Sequence, residues 1–248
     1  MPAKINAFGE VRAELDHEIL NSSFHEWQDY RSIFESTDRF IVVGRRGTGK
    51  SALTYRLQSD WADKRYLQII IAPREEQMIG LRPVANFFGS TVSRIRAGVK
   101  ISWRFALMME IGLELLSNYK TRRDVEARPV LHAHLKLWRS KGDNCIGRLR
   151  STLQEALKDI SGEEDRIADV ASILQINRIT EDVVEIIESV DRQVVILIDR
   201  LDEGYEPDEV GIGLVDGILY GVDELRIAFG KKIKSLVFIR DNIFRAIQ

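Results

Sequence analysis

The sequence predicts an α/β fold, a parallel sheet with helices on both faces. Three observations carry this. Four short runs rich in β-branched and apolar residues, at 39–43, 65–72, 193–199 and 233–239, show none of the polar alternation of a half-exposed strand. The stretches between them have helical periodicity. The first run ends in a glycine-rich turn that opens a helix. The 110 residues between 81 and 190 exceed one crossover helix. They read as a mostly helical insertion, against the sheet, within a single domain spanning 1–248.

Residues 10–36 read as a helix through Val11, Leu15, Ile19, Leu20, Phe24, Trp27 and Tyr30. Arg39 to Val43 form the first strand, and "GTGKSALTYRLQSDWADK" starts the next helix. "RYLQIIIA" is the second strand, ended by Pro73. The strongest helix is "WRFALMMEIGLELLSNY", 103–119, apolar over so much of its surface that it belongs in the interior. Amphipathic helices follow near 129–139, 144–160, 164–174 and 179–191, with "SGEED" (161–165) carrying the residues a helix start favours. "QVVILID" is the third strand. Residues 208–230 read as a helix despite internal glycines, with Gly230 as its stop. "IKSLVFI" is the fourth strand, and "DNIFRAIQ" begins a helix.

Composition bounds the function. Apolar residues at 44% and charged residues at 30% fit a globular protein. A net charge of −2, from 36 basic and 38 acidic residues, gives no general argument for nucleic acid or an anionic membrane, though it permits local basic patches. The single cysteine, Cys145, forbids an intrachain disulfide and fits a reducing cytoplasm. The charged N-terminus has no apolar h-region, and no run approaches the ~18 apolar residues of a membrane span. A cytoplasmic protein is the expectation.

"GRRGTGKS" matches G-x-x-x-x-G-K-[ST] through Gly44, Gly49, Lys50 and Ser51. Glycines let backbone N–H groups turn inward around an anion. The loop feeds a helix N-terminus, whose unpaired N–H groups and dipole favour negative charge. The expected phosphate cradle is Gly44, Gly47, Thr48, Gly49, Lys50, Ser51 and Ala52, with Lys50 reaching the β- and γ-phosphates and Ser51 ligating Mg²⁺. There is no N-K-x-D guanine-reading sequence, which favours ATP.

Such a loop needs a metal-positioning acid at the end of a neighbouring strand. "VVILIDRLDE" supplies Asp199, at the carboxyl edge where open α/β sheets bind ligands. Arg200, not Glu, follows it, so the base or water-orienting group falls to Asp202 or Glu203, with a lean to Glu203. The fourth strand ends "FIRDN", making Arg240 a candidate contact for the γ-phosphate. Arg45 and Arg46 occupy variable loop positions and read as exposed, with phosphate contact as the alternative.

Other groups read as structural. His132 and His134 are two apart, so on a helix they face different ways. Trp103 and Trp138 read as core anchors, Cys145 as a buried thiol, and "KTRRD" and "GRLRS" as solvated helix ends rather than nucleic-acid contacts.

"FIVVGRRGTGKSAL", "WRFALMMEIGLELL", "VVILIDRLDE" and "SLVFIRDNIF", in that order, resemble the prokaryotic P-loop ATPases related to the KAP and STAND groups. The resemblance implies a three-layer P-loop sandwich of the ASCE type, with an extra strand between the phosphate-loop strand and its acidic partner. It implies ATP and Mg²⁺, hydrolysis used as a conformational and oligomerisation switch, a homo-oligomer, an effector partner, and a setting in antiphage defence. Lys50, Ser51 and Asp199 carry over directly, and Asp202 and Glu203 as a pair. Related ATPases continue into a lid, which leaves open that this chain is a fragment lacking its lid or effector domain. The rival readings are a nucleotide-binding scaffold that does not hydrolyse, a nucleic-acid-stimulated motor, and a small-molecule kinase.

Overall fold

A computed structural model describes residues 28–248 apart from 37, 39, 46, 161–165, 191 and 202. Helix α1 (Gln28–Glu35) precedes strand β1 (Ile41–Gly44), and helix α2 (Lys50–Asp63) leads to β2 (Leu67–Ile71). Seven helices follow: α3 (Glu75–Asn86), α4 (Val92–Ser117), α5 (Arg122–Glu126), α6 (Pro129–Ser140), α7 (Cys145–Ala156), α8 (Arg166–Ile173) and α9 (Ile176–Ser189). The chain then forms β3 (Val194–Ile198), α10 (Glu209–Phe229), β4 (Ile233–Arg240) and α11 (Asp241–Ala246). Most of the expected 10–36 helix and the "SGEED" helix start lie outside the described residues.

The four strands form one parallel sheet in the order β1-β4-β3-β2. The register pairs Gly44 with Arg240, Ile198 with Val237, and Ile71 with Ile198. Every residue of β3, and all of β4 but its last, is buried, which explains why these strands read as continuous apolar runs.

Successive residues project to opposite faces. Val195, Leu197, Leu236 and Phe238 pack under α1 and α2, against Tyr30, Leu53, Leu57 and Trp61. Val194, Ile196, Ile198, Val237 and Ile239 belong to the much larger core built by the helices between β2 and β4. The described residues of 81–190 are almost wholly helical. The differences from the sequence expectation lie in the boundaries. Helix α4 begins at Val92, eleven residues before Trp103, and α3 already begins at Glu75 and runs through Pro83.

Helix α4 is the axis of the large core. Phe105, Leu107, Met109, Ile111 and Leu115 are all buried, and Trp103 is 1% exposed. Helix α10 lies along it at close range. A Cβ on Gly213 would come within 2.6 Å of Ile95, one on Gly217 within 2.7 Å of Val99, and one on Gly221 within 3.0 Å of the Lys100 carbonyl. Only glycine fits at this separation. Ion pairs Arg96–Asp216 (3.2 Å), Lys100–Glu224 (2.6 Å) and Arg104–Glu224 (3.0 Å) run beside the seam. Trp138 packs edge-on against Phe105 and donates its Nε1–H to Glu110 at 2.8 Å. Cys145 is buried, and desolvation pushes its thiol pKa up. No helix among the described residues is long and apolar enough to cross a membrane.

Candidate functional site

Strand β1 brings the chain to Gly44, and α2 begins six residues later at Lys50. Gly47 and Gly49 both have φ of 80°, in the left-handed region that side chains disfavour. A Cβ at either would meet nothing within 4 Å, so conformation alone requires glycine there. Gly44 is different: a Cβ would sit 2.8 Å from the Thr48 hydroxyl. Thr48 closes the turn, its N–H (3.4 Å) and its hydroxyl (2.8 Å) both donating to the Arg45 carbonyl. The Lys50 ammonium folds back to donate to the carbonyls of Gly44 (2.8 Å) and Arg45 (2.7 Å). Gly49 caps α2 without a side chain, so no cap group engages the amides of the first turn, which also holds Ser51 and Ala52. Arg45 is exposed, and Arg46 lies outside the described residues.

Asp199 follows the last residue of β3. Its N–H donates to the Ile71 carbonyl at 2.9 Å, extending the ladder by one bond, and its residue is 8% exposed. Arg200 then takes φ of 61°, and its N–H donates to the Asp199 carboxylate at 2.8 Å. This turn drops Leu201 into the core, and the Glu203 N–H closes it on the Arg200 carbonyl at 3.2 Å. Glu203 is half-buried in the turn, and Asp202 lies outside the described residues. The rest of the loop is latched to α3. Arg82 pairs with Glu206 at 3.0 Å and with Asp208, which also accepts the Gly211 N–H as the cap of α10. The Gly211 amide and the Arg82 guanidinium hold the Asp208 carboxyl below its usual range.

Ser51 and Asp199 meet in one cavity of about 220 Å³ between α2 and the strand ends. Thr54, Tyr55, Gln58 and Arg200 complete its polar wall. Arg240 stands apart from this cavity, beside Gly44 at the end of β4, and Glu203 does not line it. Ser51, Thr54, Tyr55 and Gln58 are spaced three, four and seven residues along α2, one helix face. That polar stripe is legible in the sequence as a helical spacing that continues past the loop motif.

The residues present suit a nucleoside triphosphate with Mg²⁺. The Ser51 hydroxyl and the Asp199 carboxylate are hard oxygen donors of the kind that cation takes. The Thr54 hydroxyl is buried on the same cavity without a hydrogen-bond partner among the described residues. The loop supplies amides, and Lys50 supplies a cation now held only by carbonyls.

The chain is 40% identical over 246 residues to an Escherichia coli K12 protein named "Putative transposon gamma-delta 80.3 kDa protein". The match takes in 99% of this chain and 35% of that protein, so the chain spans about a third of its relative. No family model and no solved structure matches the chain.

Proposed function

We propose that this chain binds and hydrolyses ATP with Mg²⁺ and uses the cycle as a conformational and oligomerisation switch. The observation that carries the reading is the meeting of Ser51, at the end of a G-x-x-x-x-G-K-S loop, with Asp199, at the end of β3, in one cavity. The strand order supports an ASCE-type P-loop sandwich, since β4 lies between β1 and the Asp199 strand. The loop amides and Lys50 would hold the β- and γ-phosphates, and Ser51 and Asp199 would hold Mg²⁺. The metal, when bound, neutralises charge on the phosphates. Arg240, beside Gly44, is suited to the γ-phosphate, and Asp202 or Glu203 to orienting the attacking water.

A scaffold that binds nucleotide without sustained hydrolysis is the second reading, favoured by Arg200 standing directly after Asp199 where a carboxylate would serve as base. The relative named for a transposon supports a setting in mobile DNA more directly than the antiphage setting that the resemblance implies.

The test is Mg-ATP turnover by the purified chain, its Lys50→Ala variant and its Glu203→Gln variant, across protein concentrations. Turnover that vanishes in Lys50→Ala and rises faster than linearly with protein is expected. Unchanged turnover in Lys50→Ala overturns the assignment. Absent turnover with nucleotide retained by the wild-type chain selects the scaffold.

A further inference from the structure

In a parallel sheet every strand begins at the same edge. Three helix-to-strand connections therefore converge at the edge opposite Asp199. Each carries cations: Lys64 and Arg65 before β2, Arg192 before β3, Lys231 and Lys232 before β4. Together with Tyr66 they line a cleft of about 570 Å³, and no acidic residue lines it among the described residues, outside which Asp191 lies. The volume falls within the ~300–1,000 Å³ of ligand sites. It exceeds the ~220 Å³ of the cavity beside Asp199.

The cations are not consumed by the fold. Of these cations, and among the described residues, the Lys232 ammonium alone donates to a backbone carbonyl, that of Val190, at 3.0 Å. Lys64 lies 4.8 Å from the Phe34 ring centre and is exposed. Among the described residues, Lys64, Arg65, Arg192, Lys231 and Lys232 enter no ion pair. The chain as a whole carries −2, so five cations in one cleft are a local segregation of charge. A concentration of positive charge of this kind is the footprint of a polyanion site. The lining is polar and cationic with one half-buried aromatic ring, which suits a charged backbone better than an apolar ligand.

We propose that this cleft binds the phosphodiester backbone of a nucleic acid, without sequence preference. Tyr66 offers a ring on which an unpaired base can stack. Binding here is independent of the ATP reading, because the cleft is at the far edge of the sheet from Lys50 and Asp199.

The experiment is fluorescence anisotropy of labelled single-stranded and duplex 20-mers over a salt series. The full chain is compared with Lys64→Glu/Arg192→Glu/Lys231→Glu, whose three side chains are solvent-accessible. A charge-matched control, Arg123→Glu/Lys136→Glu/Arg139→Glu, alters exposed residues of α5 and α6. Wild type and control are expected to bind with a log–log salt slope. The cleft variant should lose at least about tenfold in affinity at ~50 mM salt. Its slope should flatten by about 0.9 per lost contact on duplex or about 0.7 on single strand. The neutral variant Lys64→Gln/Arg192→Gln/Lys231→Gln, checked for fold by circular dichroism, must show the same flattening. Equal binding by the cleft variant, equal losses in the control, or complete competition by inorganic phosphate at concentrations matched to the oligonucleotide phosphate would each overturn the proposal. Lys50→Ala should bind nucleic acid as wild type does, which separates this cleft from the nucleotide site.

Discussion

Among the described residues, the two faces of the sheet are built to different depths. On one, α1 and α2 form a single layer, and α2 is held by Leu53, Thr54, Leu57 and Trp61. On that face Ile70 of β2 is 48% exposed. On the other face, α4 is itself surrounded by helices, and α10 locks to it through bare glycine backbone. The difference teaches a division of labour: the helix that starts at the Gly44–Gly49 loop rests on the shallow face, and the deep face supplies the frame.

Matched tryptophan truncations give the largest effects. Trp103 and Trp61 are each 1% exposed. Trp103→Ala in the deep core is expected to lose about 4–5 kcal/mol in urea unfolding, and Trp61→Ala about 3 kcal/mol, because a single layer relaxes more readily into the void. Equal losses would break the comparison. Gly217→Val should cost about 1–3 kcal/mol by forcing α10 away from Val99, with ATP affinity unchanged. A loss of affinity matching the loss of stability would show that the deep face is not a passive frame.

Lys234 sharpens the contrast from the shallow side. It is buried beside Trp61 and Phe34, donates to the Phe34 carbonyl, and desolvation lowers its pKa to about 8 from 10.5. Between those two values the unfolded chain binds more protons than the folded one, so stability should rise as pH rises from 8 to 10.5. Lys234→Met should abolish that rise and stabilise the protein at pH 7 by about 1–2 kcal/mol. The smallest stability effect belongs to Arg82→Ala. Its partners Glu206 and Asp208 are well exposed, so unfolding should change by less than about 1 kcal/mol. Turnover should still fall several-fold, because the loop after Asp199 loses its latch.

Much of this architecture was written locally. The run ending in Asp199 announces a buried strand and its carboxyl end, and the loop glycines are required by their own φ angles. The run ending in Gly44 reads as a buried strand too, yet β1 lies at the edge of the sheet with none of its residues fully buried and Val43 39% exposed. Non-local features were not legible. The glycines of α10 read as blemishes in a helix until Ile95 and Val99, more than 110 residues earlier, come against them. The basic clusters visible as contiguous text, "KTRRD" and "GRLRS", turn out to include structural arginines. Arg122 donates to the Leu116 carbonyl at 3.2 Å, and Arg148 pairs with Glu110 at 3.0 Å. The true concentration of cations is assembled from three separate loops, which no window along the chain reveals. The helix that reads from Trp103 begins eleven residues earlier, at Val92, and α3 runs through Pro83.

The glycines of α10 also set how this molecule can move. Positions 213, 217 and 221 recur every fourth residue, like notches on a rack whose teeth are Ile95, Val99 and the backbone near Lys100. A slide of one residue would drive side chains into the space of a missing Cβ. The next register that meshes lies four residues away, about 6 Å along the axis. Sliding is therefore closed to this pair, and α4 and α10 travel as one rod. The 21 residues of α10 run about 31 Å, from the loop after Asp199 to the lysines at 231 and 232. A tilt imposed at one end of that rod would be carried toward the other.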